Sequence, residues 1–163
     1  MMTEISLPSV TPLQRSGNQL DVSKILLKRV EPSSRNLKRT GLEYQRMTNL
    51  HQDLLQQAYA DFNQRNISSV LAVMHPDVQW ANGMDGGYVY GHEAVREYWT
   101  HQWTLLNPQV EPQKFQLDEQ QRVVVDVHQV VRDLAGNVIV DQIVQHLYRF
   151  EEELIKQMDI REL

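Results

Sequence analysis

The sequence predicts one α+β domain, with helices in its first half and antiparallel strands at its end. Two periodicities predict this class. At three places before residue 107, apolar residues recur every three to four positions, which is typical of amphipathic helices. After residue 114 they alternate with polar residues or form long valine-rich runs, which is typical of strands. The predicted order is ααβαββββ, with three helices packed on one face of a curved, mostly antiparallel sheet.

The sequence marks each helix by a different signal. The first repeats an apolar residue every fourth position, at Leu50, Leu54, Ala58 and Phe62. The second is short. It starts after Asn66, which can cap it, and stops before Pro76, because the residue before a proline avoids helical angles. The third carries Trp99 and Trp103 at helical spacing and ends at Asn107-Pro108.

The strands follow from alternation and from turn signals. A short strand at residues 77–80 leads into a glycine-rich stretch, and a second alternating segment covers residues 115–117. Two valine-rich runs, 122–133 and 138–151, are separated by Leu-Ala-Gly-Asn, which is a turn signal. The last predicted strand, 154–161, follows three consecutive glutamates.

Composition argues against several classes of function. The 163 residues include no cysteine, which excludes a disulfide, a thiol nucleophile and a sulfur-ligated zinc. No apolar run approaches the roughly 18 residues that a membrane-spanning helix needs. Residues 1–20 lack the basic start and apolar middle of a signal peptide. We therefore expect a cytoplasmic protein without a membrane partner.

Charge divides the chain at Met47. Residues 1–46 carry eight Lys/Arg and four Asp/Glu, a balance of +4, so the net charge of −5 leaves −9 on residues 47–163. Repulsion by this acidic part argues against a nucleic-acid partner. Residues 1–46 show little periodicity, and we expect a flexible basic arm there. Met47 has the form of a native start, in which case the arm lies outside the functional protein, and residues 47–163 are the predicted domain.

Residues 80–95 hold four of the seven glycines and suggest three kinds of site. A phosphate loop would end in Gly-Lys-Ser/Thr, whereas here Gly91 precedes His92-Glu93, and the earlier glycines lack the dinucleotide-binding spacing. His92 and Glu93 face different ways on a helix, which argues against a metal site. The remaining interpretation is a mobile pocket lip before a helix, with Gly91 at its cap.

Several short motifs occur in a characteristic order. They are Ala58-Tyr59-Ala60-Asp61-Phe62-Asn63, His75-Pro76-Asp77-Val78, Tyr90-Gly91-His92-Glu93-Ala94-Val95, Arg149-Phe150 and Met158-Asp159. Together they cover about residues 49–161 and resemble the nuclear transport factor 2-like superfamily, in particular its SnoaL-like polyketide cyclases and ketosteroid isomerases. The resemblance implies a cone-shaped barrel of helices and curved sheet around a deep pocket, a homodimer, and chemistry without a cofactor.

The resemblance also implies roles for individual residues. Tyr59 falls where the ketosteroid isomerases have a tyrosine that donates to a developing enolate, and His146 falls where they have a second, protonated acid. Their general base falls at Asn82. An amide cannot accept a proton from a carbon acid near neutral pH, which argues against ordinary steroid isomerisation. Asp85, three residues on, is a weak substitute.

His146 also stands out by its own pattern. Its face of the predicted strand is apolar except for Gln142 and His146, as a pocket wall would be, although a core histidine gives the same pattern. SnoaL-like cyclases use a His and an Asp on the last strands as acid/base partners, and His146 and Asp159 match those positions. A two-residue turn at Glu152-Glu153 would place them opposite each other, whereas a three-residue turn would move Asp159 to Gln145. A solvated face for Asp159 is the alternative.

These expectations define one candidate site and two classes of function. His146 and Asp159, with Tyr59, would move a proton beside a carbonyl group, because a carboxylate raises the pKa of a neighbouring imidazole towards neutrality. The expected ligand-binding residues are Trp80, Asn82, Met84, Trp99, Trp103 and Gln142, although the helical spacing of Trp99 and Trp103 is more typical of core. The first class is a small isomerase, cyclase or lyase that acts without a cofactor on a cyclic or polyketide-like carbonyl compound. The second is a non-catalytic ligand-binding or interaction module. Convergence of His146 and Asp159 on one cavity would favour the enzyme.

Overall fold

The computed structural model describes the backbone of residues 34–163 and the side chains of residues 41–163. The helices are α1 (Ser34–Asn63), α2 (Ile67–Ala72) and α3 (Gly91–Leu105). The strands are β1 (Met74–Ala81), β2 (Tyr88–Tyr90), β3 (Leu106–Leu117), β4 (Val123–Asp133), β5 (Val138–Glu151) and β6 (Leu154–Glu162). Within the described residues, no helix combines the length and apolar character needed to cross a membrane.

The six strands form one sheet in the order β2-β1-β6-β5-β4-β3. All neighbouring strands are antiparallel except β1 and β6, which are parallel. The sheet is open, with β2 and β3 at its two edges. The predicted α+β class, with helices preceding a mostly antiparallel sheet, is confirmed.

The core lies between the helices and one face of the sheet, which we call the inner face. Helix α1 buries Leu55, Ala58 and Tyr59, and Leu54 and Phe62 of the predicted stripe pack against them half-buried. The first member of that stripe, Leu50, is 46% exposed. Helix α3 buries Val95 and Trp99. The inner face contributes every second residue of each central strand, because successive side chains of a strand point to opposite sides. Its buried members include Val123, Val125, Val127, Val144, Tyr148 and Met158.

Helix α1 is longer than the sequence predicts. It begins at Ser34 and continues without interruption through Met47. The helix therefore includes the last part of the predicted arm, and residues 1–33 of that arm lie outside the described residues. The functional division at Met47 stays a prediction.

Two further differences between the predicted and the observed strands lie at the edges of the sheet. β2 was not predicted, because three residues are too few to show alternation. β3 begins directly after α3, although the sequence predicts a strand only at residues 115–117. Its prolines, Pro108 and Pro112, are tolerated because an edge strand need not donate every backbone N–H to a neighbour.

The β5–β6 hairpin contains both a predicted and an unpredicted feature. Phe150 pairs with Ile155 across a two-residue turn, as the first alternative requires. Arg149 then pairs with Gln157, which leaves Lys156 as an extra, unpaired residue. This β-bulge shifts the rest of β6 by one position.

Candidate ligand-binding site

A cavity of about 260 Å³ lies between α1, α3 and the inner face of the sheet. Of the residues expected at the site, six line it: Tyr59, Trp80, Met84, Trp99, Gln142 and His146. Three others, Asn82, Trp103 and Asp159, are not part of its wall. The structure therefore brings the helix-borne tyrosine and the strand-borne histidine together, but without the expected carboxylate.

The cavity wall carries no formally charged residue. Among the described residues, no Asp, Glu, Lys or Arg lines it. Its polar side-chain groups are three tyrosine hydroxyls, three glutamine amides, one imidazole and the indole N–H groups of Trp80 and Trp99. Most of the wall is aliphatic or aromatic. An apolar wall with a few polar groups is typical of pockets for small organic molecules.

Three of the polar groups form one buried cluster, which we call the Tyr–His cluster: Tyr59, His146 and Tyr148. The Tyr59 hydroxyl lies 2.9 Å from Nδ1 of His146 and 2.8 Å from the Tyr148 hydroxyl. The Tyr148 hydroxyl is also 3.5 Å from Nδ1. The exposed fractions of these residues are 5%, 7% and 3%.

The elements that carry the cluster explain its geometry. His146 and Tyr148 are two residues apart on β5, so both side chains point to the inner face. Tyr59 lies on the buried stripe of α1, which packs over that face.

Burial keeps every member of the cluster uncharged near neutral pH. It lowers the pKa of His146 from 6.5 to about 4, because the imidazolium is poorly solvated there. It raises the pKa of Tyr148 above its usual 10, and that of Tyr59 well above the same value, for the same reason. The expectation that a carboxylate raises the His146 pKa towards neutrality is therefore wrong.

The second ring nitrogen of His146 is available to a ligand. Nδ1 contacts the two tyrosines, whereas Nε2 has no hydrogen-bond partner among residues 41–163. The ring lines the cavity. A ligand oxygen in the cavity would give Nε2 the partner that the protein does not provide.

Asp159 lies outside the cavity because of the bulge at Lys156. If the same chain paired without a bulge, the two-residue turn would place Asp159 opposite His146. With it, His146 pairs with Ile160 and Asp159 pairs with Leu147, so Asp159 points to the opposite face of the sheet. There its carboxylate accepts hydrogen bonds from the Tyr88 hydroxyl at 2.7 Å and from the Gln157 amide at 2.9 Å. The predicted pairing of His146 with Asp159 is therefore corrected.

Asn82 has a local structural role. Its side-chain oxygen accepts the backbone N–H groups of Met84 and Asp85, both at 3.0 Å. Its backbone bonds Gly86 and Gly87 at 2.9 Å, and both glycines have positive φ. The glycine-rich stretch is thus a hydrogen-bonded β1–β2 loop that carries Met84 to the cavity, and its mobility stays a prediction.

Trp103 packs beside the cavity rather than lining it. The Arg65 guanidinium lies 4.7 Å from its ring centroid, and the Phe62 ring is at 5.4 Å. Arg65 has a φ of +63° and follows the end of α1, where its N–H bonds the carbonyl of Phe62 at 2.9 Å. This arrangement is a Schellman-type helix end with an arginine in the usual glycine position.

Sequence reasoning did not assign four polar residues of the wall, which are Tyr98, Gln102, Gln129 and Tyr148. Tyr148 shares the inner face of β5 with His146, and that spacing was a usable signal. Gln129 is hydrogen-bonded to Gln142 at 3.3 Å, across the β4–β5 pair. The Tyr98 hydroxyl accepts the Gly83 N–H at 3.1 Å, which joins α3 to the β1–β2 loop. The last two depend on strand register and loop geometry, which sequence periodicity does not report.

Metal ligation has no support in the described part of the chain. Among the side chains of residues 41–163, no three His, Asp or Glu come together in a way that could hold a metal ion. His92, the earlier metal candidate, has its Nε2 2.9 Å from the carbonyl oxygen of Met74 and so joins α3 to β1.

The fold and the cavity define an α+β protein with a pocket of ligand size under its helices. Residues 55–158 match the sequence profile of the SnoaL-like domain, which is more than half of the chain. The chain belongs to this family, which is part of the nuclear transport factor 2-like superfamily. A comparison with curated protein sequences finds no match.

Solved structures with the same fold include three that are informative. TerC, co-crystallised with polyporic acid, is 28% identical, with 68% of this chain and 89% of TerC covered and a TM-score of 0.60. An NTF2-like protein of unknown function from Burkholderia pseudomallei K96243 is 25% identical, with coverages of 69% and 89% and a TM-score of 0.61. A ketosteroid isomerase-like protein from Catenulispora acidiphila DSM 44928, in complex with trimethylamine, is 13% identical, with coverages of 67% and 84% and a TM-score of 0.59. At that identity it shows the fold alone.

Proposed function

We propose that this protein binds a neutral, largely apolar small molecule with a carbonyl or hydroxyl oxygen, and that His146 bonds this oxygen. The observation that carries the proposal is the free Nε2 of His146 in a cavity wall without formal charge. A charged ligand would lose its hydration without gaining an ion pair, which is costly. A neutral oxygen would instead gain a hydrogen bond at Nε2.

The likeness to TerC supports a small organic molecule as the ligand. TerC was co-crystallised with polyporic acid. The aligned part, which covers 89% of TerC, is 28% identical in sequence to this chain. The aromatic side chains of the cavity, such as Trp80 and Trp99, suit a ring system of this general kind.

The binding test uses two bicyclic probes that differ by one oxygen, 2-tetralone and tetralin. Calorimetry measures both affinities, and NMR follows the ring nitrogens of His146. We expect 2-tetralone to bind and to shift the Nε2 resonance. His146→Leu should weaken 2-tetralone binding about fivefold to tenfold, which corresponds to about 1 kcal/mol for one hydrogen bond. Tetralin binding should change little.

His128→Leu is the matched control, because His128 bonds Asp141 at 2.7 Å on the other face of the sheet. It should leave both affinities unchanged. Failure of the wild-type protein to bind 2-tetralone, or equal losses for both probes in His146→Leu, would contradict the proposal.

A cofactor-free isomerase, cyclase or lyase is the second candidate function. The observation in its favour is the hydrogen-bonded Tyr–His cluster, which links His146 to two hydroxyl groups at the cavity wall. No Asp or Glu is among the described residues of the wall, so an Asp–His pair is not available for catalysis there. This favours a binding function over catalysis by such a pair. Any acid–base chemistry therefore has to come from the cluster itself.

The remaining expectations are also proposals. We infer a homodimer through the outer face of the sheet, where Ile143 is 43% exposed, and light scattering would test it. We infer a cytoplasmic protein that does not bind nucleic acid, in keeping with the charge of −9 on residues 47–163. Residues 1–46 would be a basic arm, and a chain starting at Met47 should then retain 2-tetralone binding.

A further inference from the structure

We propose that the cavity recognises its ligand at two ends, so that the ligand is a neutral, rigid molecule with an oxygen at each end. One oxygen would bond His146. The other would bond the side-chain amides of Gln129 and Gln142, which we call the glutamine pair. The inference rests on the proposed function, because it requires a neutral ligand at His146. It goes beyond that function by adding a second recognition point and a fixed distance between the two ligand oxygens.

The glutamine pair joins two neighbouring strands and lines the cavity. Gln129 of β4 and Gln142 of β5 are direct partners in the sheet, and the Gln142 amide N–H donates to the Gln129 side-chain oxygen at 3.3 Å. The Gln142 oxygen and the Gln129 N–H groups have no hydrogen-bond partner among residues 41–163. The pair therefore offers an acceptor and a donor together. This combination suits a ligand hydroxyl, because a hydroxyl both donates and accepts.

His146 and the glutamine pair are two polar ends of one apolar wall. His146 and Gln142 are four residues apart on β5 and line the same cavity, which corresponds to about 13 Å along the strand. Val144 and its β4 partner Val127 lie between the two ends, and both are buried. Two hydrogen bonds of about 2.9 Å each would leave about 7 to 8 Å between the ligand oxygens. Oxygens at opposite ends of a fused two-ring system have this separation.

The two ends differ in their access to water. His146 is only 7% exposed, whereas Gln142 is exposed and Gln129 is half-buried. Ile139, another residue of the cavity wall, is 54% exposed at the same end. The glutamine pair therefore lies at the mouth of the cavity, and His146 lies deeper inside. Because water competes for exposed amide groups, the bond at the mouth should add a modest gain in affinity and act mainly in selection.

Gln102 is the remaining amide of the wall and the alternative partner for a second oxygen. It lies on α3, where its amide N–H donates to the Tyr98 hydroxyl at 3.4 Å. The same hydroxyl accepts the Gly83 N–H at 3.1 Å, so this chain of bonds joins α3 to the β1–β2 loop. Gln102 is a single amide with a bond inside its own helix, whereas the glutamine pair shares a strand with His146. The observations therefore favour the glutamine pair.

The test compares 2-tetralone with two hydroxy derivatives by calorimetry. In 6-hydroxy-2-tetralone the hydroxyl lies at the opposite end of the ring system from the ketone, whereas in 8-hydroxy-2-tetralone it lies near the ketone. The wild-type protein should bind the 6-hydroxy compound about threefold to tenfold more tightly than 2-tetralone, which is the gain expected from one hydrogen bond. The 8-hydroxy compound should show no such gain, because its hydroxyl cannot reach the glutamine pair while the ketone bonds His146.

The second end is removed by the double substitution Gln129→Leu with Gln142→Leu. The ratio of its affinities for 6-hydroxy-2-tetralone and 2-tetralone should fall to about one, and the ratio cancels any general change in the cavity. Gln109→Leu is the matched control. Gln109 is an exposed glutamine that pairs with Val130 on the face of the sheet away from the cavity. This variant should keep the wild-type ratio.

The outcomes separate this inference from the proposed function. Equal wild-type affinities for 2-tetralone and 6-hydroxy-2-tetralone would overturn the inference and leave the binding function intact. So would a preference that persists in the double variant, or one that disappears in Gln102→Leu alone. Failure of the wild-type protein to bind 2-tetralone would overturn both proposals.

Discussion

Acid should destabilise this protein through His146, and the size of the effect follows from its burial. The folded-state pKa is about 4, whereas the unfolded chain has a value near 6.5. The unfolded chain therefore takes up a proton at a higher pH than the folded one. One pKa unit corresponds to about 1.36 kcal/mol, so about 3 kcal/mol of stability should be lost by pH 4.

The direction of this effect is set by the sign of the shift. The pKa of His146 is lowered on folding. Its contribution to the free energy of unfolding is therefore fully present above pH 6.5 and declines as the pH falls towards 4. A loss of about 3 kcal/mol is large against the roughly 5–15 kcal/mol that hold a typical domain together.

The assay is urea unfolding of the wild-type protein and of His146→Gln at several pH values between about 7.5 and 4. Glutamine cannot titrate, so the stability difference between the two proteins isolates His146. The contribution of His51, whose pKa burial also lowers, cancels in this difference. We expect the wild-type advantage to shrink by about 3 kcal/mol across the range. A difference that stays constant with pH would refute the reasoning.

Three further predictions concern other parts of the fold. Glu153→Gly should stabilise the protein by about 1 kcal/mol, because Glu153 has a φ of +63°, and an unchanged urea midpoint would contradict this. Asp159→Asn should leave the affinity for 2-tetralone unchanged, since its carboxylate bonds Tyr88 outside the cavity; a tenfold loss by calorimetry would place it at the site. Trp99→Ala should cost about 3–5 kcal/mol and lower the thermal midpoint, because Trp99 is nearly fully buried, and a loss under about 1 kcal/mol would contradict that packing.

The fold class was predictable because burial leaves a periodic trace in the sequence. The stripe at Leu54, Ala58 and Phe62 reports which side of α1 meets the sheet, although its first predicted member, Leu50, is exposed. The alternation around His146 reports the inner face of β5 in the same way. Periodicity therefore predicts that Tyr59 and His146 each lie on the buried side of their own element, and the family resemblance predicted that they share one site.

The position of Asp159 was not predictable from the same signals. Periodicity shows which residues of one strand share a face, but it does not show where a neighbouring strand gains an extra residue. Lys156 and Gln157 are both polar, so nothing in their side chains marks a bulge. A one-residue shift exchanges the two faces of β6, and it moved Asp159 from the expected site to the opposite side.

Asn82 and Trp103 were misplaced for local reasons. Asn82 ends a strand that leads to the cavity, but its side chain is used by its own loop to hold two backbone N–H groups. Trp103 lies one helical turn beyond Trp99, yet a cationic side chain from the end of α1 covers its ring. Periodicity reports neither a contact within one loop, as for Asn82, nor a contact from the end of another helix, as for Trp103.

The bulge at Lys156 makes the polarity of the cavity depend on how β6 pairs with β5, and not only on the identity of the wall residues. In the present register, Met158 and Ile160 face inwards, and the alternate set, Asp159 and Arg161, faces outwards. If Lys156 paired with Arg149 and no residue bulged, Asp159 would lie opposite His146 and the two sets would exchange faces. A neutral pocket and a charged one therefore differ in this hairpin by one step of register, without any substitution in the lining itself.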